Sequence, residues 1–377
     1  VRRSRRLAVP LLAVLLVGAA VIGSGVVGTP GALRLRGADV SFTLQEEAAG
    51  TVLRDGGRTA PIESVLAAHG ATHVRLRVWV DPAAGSSGDL ATALALARRA
   101  QAVGLGVVLT LHYSDTWADN ENQTPPAAWA GLDAAGLAAA VEEHTRAVVS
   151  AFADQGTPAD VVSIGNEVDH GMLWPVGSVS GGDWSGFARL VRAGLRGLAE
   201  ASGPPPSSMV HLAGGGDAVR AAAFADRLRD EGVLPDVWGL SYYPFWHGSL
   251  DDLGRTVSAL AAASGTDVLV VETAHPWTLQ DADGTGNIVA TRDQLPDGDR
   301  FPPTPEGQVA WYEELRRVLT AVPDGRALGF MVWEPGWGSA VEAAPGAGNQ
   351  HDNLTLFDRD GRGLPALAAL RPPADAV

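Results

Sequence analysis

Short runs rich in β-branched residues recur along this chain, each followed by an Ala/Leu/Arg-rich stretch whose apolar residues repeat with helical period. That alternation constrains the fold more than any other feature, because a strand that returns through a helix to a neighbouring strand generates a parallel sheet covered by helices. Eight runs have this character: Ala38–Phe42, His73–Val80, Gly106–Tyr113, Asp160–Glu167, Met209–Gly214, Val237–Tyr243, Asp267–Thr273 and Ala327–Glu334. The periodicity predicts helices over Asp89–Val103, Ala135–Gln155, Trp184–Ser202, Ala218–Glu231, Leu250–Ser264 and Pro305–Ala321. Eight such units over about 340 residues predict an α/β fold, a (β/α)8 TIM barrel with a few enlarged loops. A doubly wound open sheet would normally use fewer strands, and no Gly-rich nucleotide turn follows the first run.

Residues 1–36 have a different character. Four arginines within Val1–Arg6 run into an apolar stretch from Leu7 to about Gly28, the pattern of an export signal. A membrane anchor is the alternative, since the stretch approaches the roughly 20 residues that span a bilayer. The expected organisation is a targeting segment over 1–36 and a barrel domain over 37–377, secreted or, alternatively, held at the membrane by an uncleaved N-terminus. The first 36 residues hold six arginines and no acid, leaving 22 of the 28 basic residues against 43 acidic ones, a formal charge of −21. Nucleic acid is a poor partner for such a surface. Cysteine is absent, which removes disulfides, thiolate nucleophiles and thiolate metal sites together. Lysine is absent too, which removes Schiff-base chemistry and a Walker A lysine, and neither G-x-S-x-G nor H-E-x-x-H occurs.

In a TIM barrel, chemistry gathers at the C-terminal ends of the strands. Those ends are populated by Asp39, Arg75, Arg77, Trp79, His112, Tyr113, Asp115, Asn166, Glu167, Tyr242, Tyr243, Glu272, Trp333 and Glu334, whereas the opposite ends are mostly apolar or Gly. Two glutamates close strands three steps apart: Glu167 in Val161-Val-Ser-Ile-Gly-Asn-Glu and Glu272 in Val268-Leu-Val-Val-Glu-Thr. A converging pair of carboxylates suits glycosidic bond cleavage, which needs a proton donor for the leaving oxygen and a second carboxylate at the anomeric carbon. A separation of about 5 to 5.5 Å would give retention, and roughly 6.5 to 9.5 Å inversion. Either glutamate alone could instead serve a structural ion pair with Arg75 or Arg77. Glu334, beside Trp333 and Pro335, is better suited to a wall or binding role.

The chain resembles glycoside hydrolase family 53, the arabinogalactan endo-β-1,4-galactanases. The resemblance rests on Gly37-Ala-Asp-Val-Ser, Val74-Arg-Leu-Arg-Val-Trp-Val-Asp-Pro, Leu111-His-Tyr-Ser-Asp-Thr-Trp-Ala-Asp, Gln123-Thr-Pro-Pro-Ala-Ala-Trp, Ile164-Gly-Asn-Glu, Gly171-Met-Leu-Trp-Pro, Gly239-Leu-Ser-Tyr-Tyr-Pro-Phe-Trp-His-Gly and Val271-Glu-Thr. These segments occur in order and span about residues 37 to 365. The resemblance implies a catalytic barrel that cuts β-1,4-galactan, the side chain of pectin, with retention, using Glu167 as acid/base and Glu272 as nucleophile. It further implies that Asn166 meets the sugar 2-hydroxyl, that Asp39, His112, Asp115, Tyr242 and His247 belong to the substrate-binding cleft, and that Arg75 keeps the nucleophile ionised. Trp117, Trp246, Trp333 and Trp337 offer flat faces for sugar rings.

Two stretches depart from the family pattern: Val168-Asp-His-Gly after the first glutamate and Ala274-His-Pro-Trp-Thr after the second, so His170 and His275 are expected to alter subsite contacts, the pH optimum or the preferred linkage. Catalysis needs no cofactor on this reading. The loop Asp281-Ala-Asp-Gly-Thr-Gly-Asn, with Asp281, Asp283 and Asn287 as oxygen donors, could hold a structural calcium ion or be a solvated Asp/Gly turn. A monomer acting on polysaccharide is expected, with no stable membrane partner after signal removal. The competing readings are another retaining endo-β-glycanase, such as a mannanase or β-glucanase, a silent sugar-binding barrel, and a metal-dependent hydrolase built on His112, Asp115 and Glu167.

Overall fold

A computed structural model describes residues 33–82, 86–342 and 346–372. Eight parallel strands close into a barrel whose order around the ring follows the chain. They are β1 (Leu35–Asp39), β2 (His73–Val78), β3 (Gly106–Leu111), β4 (Val161–Ile164), β5 (Ser207–Leu212), β6 (Val237–Tyr242), β7 (Asp267–Thr273) and β8 (Ala327–Val332). The ring closes by pairing β1 with both β2 and β8. Gly329 permits that closure, because a Cβ there would lie 1.7 Å from the Leu35 carbonyl oxygen.

Strand alternation sorts the side chains into two cores. Leu35, Val108, Val161, Met209, Val237, Leu269, Val271, Leu328 and Met331 form the cluster inside the barrel. The other face of each strand packs against the helices: Trp238, Leu240 and Tyr242 of β6 point outward, the first against Phe224 and the last stacked on Trp311. The outer layer comprises α1 (Ile62–Ala68), α2 (Leu90–Ala102), α3 (Ala134–Asp154), α4 (Ser185–Glu200), α5 (Ala218–Asp230), α6 (Leu250–Ser264), α7 (Pro305–Thr320) and a final 3-10 turn at Pro365–Leu370. Their starts follow from capping residues. Asp89, Asp133, Asp217, Ser249 and Thr304 each accept a backbone N–H of the first turn. At the other end of α6, Gly265 takes the left-handed conformation that stops a helix, with φ 74°.

The helices expected from periodicity are present within two residues of their predicted ends. The strands are shorter than expected at their C-terminal ends: Val80, Tyr113, Glu167, Gly214 and Glu334 were all expected inside strands and lie beyond them. The physical reason is local. Tyr113, Glu167 and Glu334 have φ of 51°, 47° and 36°, a left-handed backbone that leaves the ladder. At the start of the chain, β1 begins at Leu35, so its first two residues fall within the stretch read as targeting segment. Residues 1–32 of that segment, including the apolar run, lie outside the described residues, and none of the described helices is long and apolar enough to cross a membrane. Between β1 and β2 the short helix Thr43–Ala48 and α1 were not expected; with 6 and 7 residues, they are too short for a periodic signal.

Candidate active site

Glu272 reaches the barrel mouth through a slip in strand pairing. Val271 belongs to the interior cluster, so simple alternation would turn the next residue outward. Between Leu240 and Ser241 the β6–β7 register shifts by one, pairing Leu240 with Val270 but Ser241 with Glu272. Such an irregularity re-aims a side chain, and here it turns the carboxylate into the mouth. Glu167 arrives differently, on the turn after β4. Gly165 with φ 84° starts that turn and Glu167 with φ 47° ends it, a conformation costing about 1–3 kcal/mol outside glycine. Its neighbours hold the turn in place: Gln123 Nε2 donates to the Asn166 carbonyl at 2.8 Å, and Val168 N donates to the His211 carbonyl at 2.9 Å.

The two carboxylates converge. An oxygen of Glu167, an oxygen of Glu272 and a ring nitrogen of His211 all lie within 4.8 Å of one another. Beneath them, Arg75 is fully buried and uses its whole guanidinium. Nε donates to Thr110 Oγ1 at 3.0 Å, one terminal nitrogen bridges Asp39 Oδ2 and Glu272 Oε1 at 2.9 Å each, and the other donates to Asn166 Oδ1 at 2.9 Å. Tyr243 Oη donates to the second Glu272 oxygen at 3.0 Å. Glu167 meets Ser241 Oγ at 2.6 Å.

These contacts set the two acids apart. Burial raises the Glu167 carboxyl to about 8, and the charge of Glu272 adds to the rise. Burial also raises Glu272, but the Arg75 cation and the Tyr243 hydroxyl oppose it. Glu167 is therefore the member that keeps a proton and Glu272 the member that ionises, the division of labour a glycosidic cleavage requires. A metal has little claim on this cluster, because the Arg75 guanidinium already neutralises Glu272 and both ring nitrogens of His211 are hydrogen-bonded.

Trp117, Trp246, Trp333 and Trp337 line the cleft above the pair, together with Asn166 and Tyr243. Arg77 props the Trp117 wall from below: its guanidinium carbon sits 4.5 Å from the Trp117 ring centre and 4.3 Å from that of Phe42. Its charge is matched by Glu334, 2.8 Å away and buried. Glu334 is thus the partner of a structural ion pair and does not line the cleft that holds Glu167 and Glu272.

Several residues expected in the cleft lie elsewhere. Asp39 is buried beneath it as the counter-ion of Arg75, its other oxygen accepting from Ser41 N and Oγ. His112 is buried, accepts from Ala118 N, and is held neutral by burial and by Arg75 and Arg77. Asp115 ties two loops, accepting from Asp81 N and Ala127 N. Tyr242 faces the helices and donates to the Gly248 carbonyl, and His247 accepts from Tyr243 N. The inward tyrosine is Tyr243, one residue along, as alternation from the interior residue Val237 requires. His275 is buried against Trp311, and His170 lies 3.2 Å from Arg220; neither lines the cleft. Ser241 and His211 were not singled out in the sequence, although both share the inward face of their strands.

The loop after β7 brings Asp281 and Asp283 within 4.8 Å of Asp352, a residue that sequence spacing could not connect to them. Asn287 donates its amide to the Gln280 carbonyl, which leaves its Oδ1 buried and without a partner.

The whole barrel has known counterparts. The model for glycosyl hydrolase family 53 matches residues 35–370. An arabinogalactan endo-β-1,4-galactanase of Humicola insolens is 35% identical over 346 residues, covering 89% of this chain and 98% of that protein. Among solved structures, the family 53 catalytic domain of Ignisphaera aggregans superposes with a TM-score of 0.83 at 35% identity, over 92% of this chain and 97% of that one. A fungal β-1,4-galactanase gives 0.79 at 32% identity, over 90% and 99%. The chain belongs to glycosyl hydrolase family 53.

Proposed function

We propose that this glycoside hydrolase cuts internal β-1,4-galactosidic bonds of pectic galactan and retains the anomeric configuration, with Glu167 as acid/base and Glu272 as nucleophile. The observation that carries the mechanism is that one oxygen of each carboxylate lies within 4.8 Å of the other, which supports the short separation of a retaining pair over the roughly 6.5 to 9.5 Å of an inverting one. Glu272 attacks the anomeric carbon while Glu167 protonates the departing oxygen. The resulting galactosyl ester is hydrolysed by a water that gives its proton to Glu167. Asn166 has its carbonyl committed to Arg75 and one N–H to the Ala118 carbonyl, so its second N–H is the group available to the sugar 2-hydroxyl. The choice of galactan is supported by the names of the Humicola enzyme and the fungal structures. Secretion is supported by the arginine-rich apolar N-terminus.

The decisive experiment is reducing-sugar release from linear β-1,4-galactan, β-mannan and β-glucan, with Glu167→Ala and Glu272→Ala beside the unaltered chain. Activity confined to galactan and lost in both variants is expected. Turnover of another glycan, or survival of either variant, refutes the corresponding part. NMR of the first anomer formed tests retention.

We also propose a structural calcium ion bound by Asp281, Asp283 and Asp352, with Asn287 Oδ1 as a fourth donor. The donor set is hard oxygen, which suits Ca2+. Asp352 Oδ1 and Asn287 Oδ1 are buried without hydrogen-bond partners, and burial with the like charges of Asp283 and Asp281 raises Asp352 to about 6. A cation would satisfy both conditions and brace the loop that follows β7.

A further inference from the structure

Behind Glu167 runs an unbroken chain of hydrogen bonds whose proton count is overdetermined. Arg75 donates to Asn166 Oδ1, and His211 Nδ1 lies 2.9 Å from that same oxygen. His211 Nε2 lies 2.9 Å from Ser241 Oγ, which is 2.6 Å from Glu167 Oε1. His211 and Ser241 are fully buried, so water cannot fill a missing bond.

The amide of Asn166 cannot be reversed, because its oxygen faces a guanidinium and its nitrogen faces the Ala118 carbonyl. His211 Nδ1 must therefore carry a proton to meet that oxygen. Burial, with Arg75 and His112 nearby, keeps the imidazole neutral, so Nε2 is bare and can only accept. The one proton of the Ser241 hydroxyl goes to Nε2, and Ser241 then presents only lone pairs to Glu167. Glu167 completes the chain by donating, which it can do only as a carboxylic acid.

We propose that Ser241 and His211 are positioning residues that form a hydroxyl relay, holding the proton on Glu167 until the leaving group takes it. This rests on the acid/base role of Glu167 proposed above. When Glu167 gives up its proton to the glycosidic oxygen, the Ser241 hydroxyl rotates to donate to the new carboxylate and leaves His211 Nε2 without a partner. No proton leaves serine. When water later returns a proton to Glu167, the hydroxyl turns back to His211. The unmade bond at Nε2 makes the ionised state of Glu167 costly, so the relay favours the recovery of the proton in the second half-reaction. The other charged or titratable groups near Glu167 are Glu272 from β7, Asp169 from its own loop and Asp119 from the loop after β3, which favour its protonated form, the Arg75 cation from β2, which favours the ionised one, and the Tyr243 hydroxyl after β6. None of them depends on the serine hydroxyl.

The test reads the pH dependence of kcat/KM on galactan. In His211→Asn, the amide nitrogen replaces the Nδ1 donor to Asn166 but the Nε2 acceptor is gone, so Ser241 is free to donate to the carboxylate. This variant is expected to move the basic limb down by about one pH unit, the worth of one buried hydrogen bond, with the acid limb unmoved. An unmoved or raised basic limb in it overturns the relay. A measurement on the unaltered chain does not depend on the variant folding: 15N NMR of labelled histidine should find His211 neutral and protonated at Nδ1, and the Nε2–H tautomer or an imidazolium overturns the relay equally. The acid/base role is read separately, from Glu167→Ala acting on a dinitrophenyl galactobioside. Rescue by azide, giving the β-galactosyl azide, upholds the role of Glu167; absence of rescue removes that role and the relay's catalytic meaning, while the histidine tautomer stays measurable by itself.

Discussion

Replacing Arg75 by methionine preserves the length of the side chain and removes the cation between Asp39 and Glu272. Asp39 keeps the Ser41 amide and hydroxyl and has Arg77 at 3.7 Å, whereas Glu272 keeps only the Tyr243 hydroxyl. The stranded charge is therefore that of Glu272. Left ionised and buried it would cost about 3–5 kcal/mol. Taking up a proton limits that cost: near pH 7, about 2.5 units above the ordinary value of 4.5, it is at most about 3.5 kcal/mol at roughly 1.4 kcal/mol per unit. Near pH 5 it falls below about 1 kcal/mol. The sign follows from linkage. In the variant the folded carboxyl titrates further above the unfolded one than it does beside Arg75, so the folded state binds more protons and the loss relative to the unaltered chain grows as pH rises above the already raised value that Glu272 has there. Urea unfolding of both proteins at the two pH values, followed by tryptophan fluorescence, measures the difference. Against a total stability of about 5–15 kcal/mol the loss is large. Equal losses at both pH values, or no loss near pH 7, would refute the assignment of Arg75 as the cation that keeps Glu272 ionised.

Other consequences are simpler to measure. The pH profile of kcat/KM should be a bell whose basic limb lies near 8, set by Glu167, because glycosylation needs its proton, and whose acid limb reports Glu272, which must be ionised. A basic limb that persists in Glu167→Gln would contradict this. Tyr243→Phe removes the donor to Glu272 and should lower kcat about tenfold, the worth of a hydrogen bond to a charged group. Tyr242→Phe, which loses only the bond to the Gly248 carbonyl, should cost about 1 kcal/mol of stability with kcat unchanged. Chelation should lower the melting temperature with calcium restoring it, and Asp352→Asn should abolish the response; a chelator-insensitive melt would remove the calcium site. Trp246 is 57% exposed at the cleft rim, so Trp246→Ala should raise KM for galactan several-fold and leave the fold intact by circular dichroism.

The tyrosine pair shows how far reading the sequence could go. Within Val237–Tyr243 the large residues Trp238, Leu240 and Tyr242 alternate with Gly239 and Ser241, and a helix-covered barrel needs its bulk on the outer face. That parity places Tyr243 inward and Tyr242 outward, so the information was present and the choice of Tyr242 ignored it. The same alternation points to Ser241 and, in β5, to His211. Asp115 was misread for another reason: loop residues carry no period, and nothing in Asp115-Thr-Trp-Ala-Asp distinguishes the oxygen that ties two backbones from Asp119, which lines the cleft. Glu334 and Asp39 sat at the expected mouth, but whether a carboxylate there meets a sugar or a buried guanidinium depends on which arginine lies under it.

Backbone geometry is local, and for that reason the sequence alone determined the repeated strand and helix units, the barrel they close into, the mouth where the polar residues gather and the two glutamates that stand there. What only the tertiary structure decided was how those residues face one another. The register slip opposite Leu240 that turns Glu272 inward, the sharing of one guanidinium among Asp39, Glu272 and Asn166, and the arrival of Asp352 beside Asp281 all arise from contacts between segments far apart in the chain. Closure of a ring sets each strand's stagger against its neighbours, and no periodicity within a single strand records it.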